Sequence, residues 1–142
     1  ALSGIPLKEE LSDRGYRICL AKTISEGLQA LKAAGIRVKS PLKAPLSVLP
    51  LVLRLPTPVF SQVAKAMVHL DADAHSSMWD DLQRARMTEI DFLNGEVVAL
   101  AAKMGIRAPA NEAICRLIRE AEAKGEGSPR LSSDSLLTQL GL

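Results

Sequence analysis

Aromatic residues and cysteines are scarce in this sequence, and both shortages limit what the chain can be. Only 3% of its 142 residues are aromatic, although 47% are hydrophobic, so the core must consist of aliphatic side chains and Met. This composition favours packed helices over a sandwich of aromatic-rich strands. Cys19 and Cys115 form no CxxC pair, which indicates a reduced intracellular protein, and we expect a cytoplasmic location.

Long hydrophobic runs and blocks of like charge are also missing. The most apolar stretch, Val48 to Leu55, contains Pro50 and Arg54 and is far too short to span a bilayer, so we expect no membrane association. The 18 basic and 16 acidic residues give a formal charge of +2 and are spread along the chain, which gives little support to nucleic-acid binding. The length predicts a single domain over residues 1–142.

The familiar local signatures of an active site are absent as well. The sequence has no GxGxxG or GxxxxGK[ST] phosphate loop, no GxSxG elbow and no HExxH pair. His69 and His75 could in principle form a metal site with Asp71 and Asp73. Their spacing fits no familiar ligand pattern, and a solvated loop explains them as well, so we predict no metal site.

Apolar residues recur at steps of three and four along most of the chain, which predicts an all-α fold without strands. The longest predicted helix runs from Ser12 to Ala34 and ends at Gly35. A later helix is expected to begin at Asn111, as its cap, and to end near Lys124. The fold class is therefore a compact domain of several helices.

Prolines and glycines indicate the less regular segments. The stretch from Ile36 to Pro58 is rich in proline yet too apolar for a free linker, so we expect a connector on the core with at most one short helix. Thr57 is the expected cap of the next helix. The predicted inward face of that helix is Val59 or Phe60, Val63, Met67 and Leu70. We expect a loop from His69 to His75 and a mobile tail over 126–142 with one short turn.

The most informative stretch runs from Ser76 to Gly95 and places two predicted helix starts a short helix apart. Ser77 with Asp80, and Thr88 with Asp91, both have the spacing of a helix-capping pair. In the structural interpretation these residues only cap their helices. In the functional one, the helix N-termini bind an anionic ligand or the polar parts of a cofactor. The residues by themselves favour the structural interpretation.

The same stretch resembles the C-terminal domain of the ketopantoate reductases (2-dehydropantoate 2-reductases). The family pattern has Ser-Ser-Met, an Asp three residues after the second Ser, then Thr-Glu-Ile-Asp and Asn-Gly. In this sequence those residues are Ser76-Ser77-Met78, Asp80, Thr88-Glu89-Ile90-Asp91 and Asn94-Gly95. The similarity continues through Gly105-Ile106, Pro109 and Asn111-Glu112 and, more weakly, upstream to Leu2-Ser3-Gly4. It therefore covers nearly the whole chain.

The resemblance implies a helical domain of the 6-phosphogluconate dehydrogenase C-terminal-like type, attached behind a Rossmann domain that binds NADPH. The active site would lie in the cleft between the two domains, where hydride transfer converts ketopantoate to pantoate for coenzyme A synthesis. Ser77 matches the family serine that binds the substrate, and Glu89 matches the glutamate that reaches NADPH. The implied partners are a small 2-keto acid, the protein's own N-terminal Rossmann domain and a second copy in a homodimer.

The sequence also departs from the family pattern. The general-acid lysine of the family precedes the equivalent of Ala1, so we predict no catalytic residue within this chain. The opening Ala1-Leu2-Ser3-Gly4 reads as a piece of something longer. Without the nucleotide-binding domain we expect the fragment to be inactive, because the cofactor supplies the chemistry. The proline-rich segment 40–58 aligns poorly with the family and leaves the exact 2-keto acid open.

Several residues of the informative stretch keep more than one interpretation. We expect Asp80 and Asp91 to be structural, as capping residues. Asn94 stays open, because an Asn within a helix asks for a reason such as an interdomain hydrogen bond. An alternative function also stays open, a non-catalytic helical dimerisation module that packs through the small-residue flank Gly95, Ala99 and Ala102.

Overall fold

Helices make up the regular structure of this computed structural model, which describes residues 1–40, 45–67 and 73–142. The α-helices of those ranges are α1 (Leu7–Ser12), α2 (Arg14–Ala33), α3 (Leu49–Leu53), α4 (Thr57–Met67), α5 (Ser77–Gln83), α6 (Asn94–Lys103), α7 (Pro109–Lys124) and α8 (Ser133–Leu140). Short 3-10 turns at Leu46–Val48 and Ile90–Phe92 precede α3 and α6. The all-α prediction is confirmed.

None of the helices in these ranges combines the length and apolar character needed to cross a bilayer.

Helix α2 runs through the centre of the domain and contacts α3, α6, α7 and α8. Asp13 caps it, because its Oδ1 accepts the Gly15 N–H at 2.6 Å. Gly35, in the left-handed region with φ +70°, follows its end as predicted. Ala21 and Ala30 have no exposed surface, and such small side chains let neighbouring helices approach α2 closely.

Residues 45–58 form the predicted connector, which lies on α2. Helix α3 buries Pro50 and Leu53, and Phe60 of α4 joins Leu53 and Ala21 in a small apolar cluster. Thr57 is the first residue of α4 rather than the residue before it. The sequence predicted either Val59 or Phe60 as an inward residue of this helix. Val59 is exposed and Phe60 is buried, so Phe60 is the inward one.

Some of the predicted features lie outside the described residues. The predicted inward residue Leu70 and the loop residues His69 and Asp71 fall in the range 68–72, and the side chain of Met67 is not described either.

Arg17 of α2 is fully buried and fastens the connector to α2 from the inside. Its guanidinium lies 4.3 Å from the centre of the Phe60 ring and has no carboxylate partner among the described residues. It donates hydrogen bonds of 2.8 to 3.3 Å to the carbonyl oxygens of Leu11, Ser12, Leu53 and Leu55 and to the hydroxyl of Thr57. Burial lowers the pKa of Arg17, but an arginine remains charged at neutral pH.

The α-helix start predicted at Thr88 is wrong. Thr88 Oγ1 accepts the Ile90 N–H at 3.2 Å, and this contact two residues along the chain competes with an α-helical start. A 3-10 turn follows, the backbone bends at Leu93 (φ −106°, ψ −87°), and α6 begins only at Asn94. Asp91 is not a cap either, because its Oδ1 accepts hydrogen bonds from the Arg119 guanidinium at 2.5 and 3.1 Å.

The predicted mobile tail over 126–142 is also wrong, because α8 packs into the core. Leu136 and Leu140 are buried in the largest apolar cluster of the domain. Ser132 caps the helix by accepting the Ser135 N–H at 3.2 Å. The sequence did not predict this packing, because residues 126–133 are rich in Gly, Ser and Pro and α8 contains few apolar residues.

The segment before α8 contacts the first residues of the chain. The Leu131 N–H donates to the Leu2 carbonyl at 2.9 Å, and Ser128 Oγ donates to the Ala1 carbonyl at 2.6 Å. A Cβ on Gly15 would lie 2.7 Å from the Cβ of Ser133, so the close approach of α8 to the start of α2 requires glycine there.

Candidate functional site

The two residues that the sequence predicts for substrate and cofactor contact each other. Ser77 Oγ donates a hydrogen bond to Glu89 Oε1 at 3.0 Å, and both side chains are exposed. Ser77 is the first residue of α5, and Glu89 immediately precedes the 3-10 turn Ile90–Phe92. The fold therefore brings the two halves of the sequence motif into one polar group on the surface.

Ser76, not Ser77, is the cap of α5, which corrects the predicted capping pair by one residue. Ser76 Oγ accepts the Trp79 N–H at 3.3 Å. The Ser77 hydroxyl is therefore free to make a contact outside its own helix. Asp80 lies in the first turn of α5, where a negative charge stabilises the helix, so its structural role stands on charge rather than on capping.

The Glu89 carboxylate has hydrogen-bonding capacity to spare. Within the described part of the chain Ser77 is its hydrogen-bond partner, through Oε1. The second oxygen can accept hydrogen bonds from hydroxyl groups such as those of a ribose, whereas a phosphate would be repelled. Ser77 has one hydroxyl proton, so the bond to Glu89 must break before Ser77 can donate to an anionic ligand. The second oxygen of Glu89 is therefore suited to a polar, uncharged part of a ligand.

Large apolar side chains that flank Glu89 in the sequence are exposed to solvent. Phe92 is 80% exposed and Met87 77% exposed, which is unusual for residues of this size in a folded domain. Exposed apolar side chains of this size are candidates for a contact site when they lie together on the surface. The segment itself is held in place by α7, because the Thr88 N–H donates to Glu122 Oε1 at 2.7 Å.

Glu26 of α2 caps α7, although it is distant from α7 in the sequence. This corrects the prediction that Asn111 is the cap. Glu26 is 2% exposed, and its carboxylate oxygens accept the N–H groups of Ala110 at 3.1 Å and Asn111 at 3.0 Å. Lys22 Nζ lies 3.4 Å from Glu26 Oε1. The buried charge is thus stabilised by the helix start and by one cation.

Asn111 extends this network to Asn94. The Asn111 Nδ2 donates to Glu26 Oε2 at 2.8 Å and to the Thr23 carbonyl at 3.1 Å, and Asn94 Nδ2 donates to Asn111 Oδ1 at 2.9 Å. Asn94 is the first residue of α6 rather than a mid-helix residue. Its helix-propensity cost is therefore small, and a hydrogen bond within the domain gives the reason that the sequence left open.

A cavity of about 210 Å³ adjoins Asn94 and Met78, the residue after Ser77. Apolar side chains form most of its wall, and the polar residues Tyr16, Thr23 and Glu10 contribute as well. Tyr16 and Thr23 donate their hydroxyl protons to the carbonyls of Leu131 and Leu20. Asn94 and Met78 line this apolar space, and Ser77 is the neighbour of Met78 along α5.

The histidine that is described belongs to no metal cluster. The His75 ring stacks on Trp79 at 4.0 Å between centroids, and its Nδ1 lies 2.9 Å from the Asp73 carbonyl. Over the described ranges, no three His, Cys, Asp or Glu side chains are arranged to hold a metal ion.

A family model described as "Ketopantoate reductase PanE/ApbA C terminal" matches residues 1–122, which is most of the chain. The chain belongs to this family. The predicted resemblance is therefore confirmed, and both Ser77 and Glu89 lie within the matched residues. Helix α8 lies beyond them.

Two curated relatives are similar to part of this ketopantoate reductase domain. The 2-dehydropantoate 2-reductase of Pyrococcus horikoshii is 37% identical over 54 residues, which are 38% of this chain and 18% of that protein. The 2-dehydropantoate 2-reductase of Archaeoglobus fulgidus is 35% identical over 63 residues, which are 44% of this chain and 21% of that protein. The matched stretches thus span about a fifth of each relative. No solved structure matches the chain at a significant level.

Glu26 is the residue of this region whose position sequence reasoning did not interpret. It lies on α2 among small and apolar residues such as Thr23, Gly27 and Ala30, which face the interior. A carboxylate on the buried face of a helix could have indicated a contact with another part of the chain, because a buried carboxylate requires hydrogen-bond donors or a cation.

Proposed function

We propose that this domain is the substrate-side part of an NADPH-dependent 2-dehydropantoate 2-reductase, which reduces ketopantoate to pantoate in coenzyme A synthesis. The observation that carries this proposal is the exposed contact of 3.0 Å between Ser77 and Glu89. Membership of the ketopantoate reductase family and the names of the two relatives support the same activity.

In this proposal the two side chains bind different molecules. Ser77 donates its hydroxyl proton to the carboxylate of the 2-keto acid, and Glu89 accepts hydrogen bonds from ribose hydroxyls of NADPH. When bound, NADPH supplies the hydride. The contact between Ser77 and Glu89 supports this assignment, because a substrate and a cofactor bound by two neighbouring side chains would lie close together, as hydride transfer requires.

The proposed partners follow from the surface around the site. A nucleotide-binding domain on the N-terminal side would hold the cofactor and supply the general acid, and exposed Met87 and Phe92 offer it a contact surface. Ala99 and Ala102 of α6 are exposed, and we propose this small-residue face as the homodimer contact. We place the whole protein in the cytoplasm and expect this domain alone to be inactive.

The decisive experiment uses the full-length protein with NADPH and ketopantoate and follows oxidation of the cofactor. Ser77→Ala is expected to raise KM for ketopantoate by about 10- to 100-fold, because a hydrogen bond to a charged ligand is lost. Glu89→Gln is expected to raise KM for NADPH roughly tenfold, because the amide is a weaker acceptor than the carboxylate.

Matched controls come from elsewhere on the surface. Ser61 is an exposed helical serine whose hydroxyl donates to its own helix at Thr57, and Glu120 forms an exposed pair with Arg116. Ser61→Ala and Glu120→Gln should leave both KM values unchanged. If Ser77→Ala and Glu89→Gln also leave the kinetics unchanged, the site is wrong, and an absence of NADPH oxidation by the wild type rejects the activity.

A further inference from the structure

Asn94 has hydrogen-bonding capacity on the cavity wall that the domain does not use. Its Nδ2 donates to Asn111 Oδ1 at 2.9 Å, and within the described residues neither its Oδ1 nor its second N–H has a partner. A primary amide offers two donors and two acceptor lone pairs. Tyr16 and Thr23, on the same wall, already donate to backbone carbonyls. The Asn94 oxygen is therefore available to a ligand.

The orientation of this amide is fixed from behind. Asn111 uses both N–H groups of its Nδ2, one for Glu26 and one for the Thr23 carbonyl, so its Oδ1 must be the atom that meets Asn94. An acceptor at that place requires a donor from Asn94. The Nδ2 of Asn94 therefore turns towards Asn111, and its Oδ1 points away from the network.

Capping of α7 does not explain why the network continues to Asn94. Glu26 alone satisfies the N–H groups of Ala110 and Asn111, and a local Ser or Asp could do the same. The buried Asn111 amide has both N–H groups and its oxygen bonded, whereas Asn94 is half-buried and its Oδ1 is not bonded within the described residues. A network that ends in one fixed, unused acceptor beside a cavity is the arrangement expected behind a ligand-binding side chain.

We propose, on the basis of the function proposed above, that Asn94 binds the 2-keto acid and that its Oδ1 accepts a hydrogen bond from a hydroxyl group on the substrate's carbon chain. Apolar Leu20, Met78 and Ile118 line the same cavity and suit a branched carbon skeleton. Glu26 and Asn111 are positioning residues that hold the amide.

The test compares two substrates in the full-length protein with NADPH, ketopantoate and 3,3-dimethyl-2-oxobutanoate, which lacks the hydroxyl group. Asn94→Ala is expected to lower kcat/KM for ketopantoate roughly tenfold and to change the value for the second substrate by less than about threefold. Asn111→Leu removes the hydrogen bond that orients Asn94 but keeps the Asn94 side chain, so it should lower the preference for ketopantoate by less than Asn94→Ala does. In the Asn94→Ala background, Asn111→Leu should lower that preference no further. Asn94→Ser keeps a small hydroxyl acceptor and should give an intermediate preference if the alanine variant fails to fold.

The outcomes separate this inference from the function on which it rests. Equal losses for both substrates would assign Asn94 a structural role and overturn the inference, and so would an unchanged preference. Ser77→Ala should weaken both substrates equally, because both carry the carboxylate. If Ser77→Ala has that effect while Asn94→Ala leaves the preference intact, the proposed function stands and this inference alone fails. If the wild type oxidises no NADPH with either substrate, both fail.

Discussion

Replacement of the buried Arg17 by Met tests how much the connector depends on one side chain. The substitution keeps much of the apolar volume but removes every donor from four backbone carbonyls and one hydroxyl. Each buried acceptor left without a partner costs about 1 kcal/mol or more, and the lost charge offsets part of this because burying a cation is unfavourable. We expect Arg17→Met to lower the free energy of unfolding by about 3 to 5 kcal/mol.

Urea unfolding of the 142-residue chain, followed by circular dichroism, measures this loss. Arg14→Met is the matched control, because Arg14 is exposed and, within the described residues, makes one side-chain hydrogen bond, of 3.2 Å to the Arg54 carbonyl. This substitution should lower the free energy of unfolding by less than about 1 kcal/mol. Should Arg17→Met prevent folding, Arg17→Lys retains the charge with fewer donors and should give an intermediate loss. A loss for Arg17→Met no greater than that for Arg14→Met would refute the reasoning.

Two further predictions concern a strained turn and a buried thiol. Ala85 follows α5 with φ +50°, a conformation that glycine adopts more easily than alanine, so Ala85→Gly should raise the free energy of unfolding by about 0.5 to 1 kcal/mol. Ala102→Gly within α6 should lower the free energy of unfolding by about as much. Urea midpoints that shift in the same direction for both variants would contradict this prediction. Burial raises the pKa of Cys19 to about 11, whereas an unfolded cysteine ionises near 8.5. The unfolded chain therefore loses this proton first, so the free energy of unfolding of the wild type should fall by about 2 kcal/mol more than that of Cys19→Ala between pH 9 and pH 11. Parallel stability profiles for the two proteins would show the thiol to be accessible.

The sequence predicted the long helices well because their signals are local. The apolar spacing of α2 and α7 and the glycines after their ends act within a few residues. Tertiary contacts decided the places where prediction failed. Asn111 has the residue type of a cap, but α7 begins two residues earlier, at Pro109. The carboxylate of Glu26, far away in the sequence, accepts the first-turn N–H groups and leaves the Asn111 side chain to bind Asn94.

The candidate site shows the same division. The capping pattern selected Ser77, because Asp80 follows it by three residues, but Ser76 is the cap. The difference decides which of the two hydroxyl groups is free. Thr88 looked like a second cap, but its hydroxyl bonds only two residues along the chain. The resemblance to a family identified Ser77 and Glu89 as a pair with function. Only the fold showed that their side chains touch.

The contacts of residues 128–140 with Ala1 and Leu2 also govern when this domain can finish folding. The core is incomplete until Leu136 and Leu140 have been synthesised, because both are buried among side chains from the beginning and middle of the chain. Loop closure over such separations is slow compared with helix formation. A nascent chain therefore carries an exposed apolar surface until α8 emerges, and during synthesis chaperones and proteases have access to that surface.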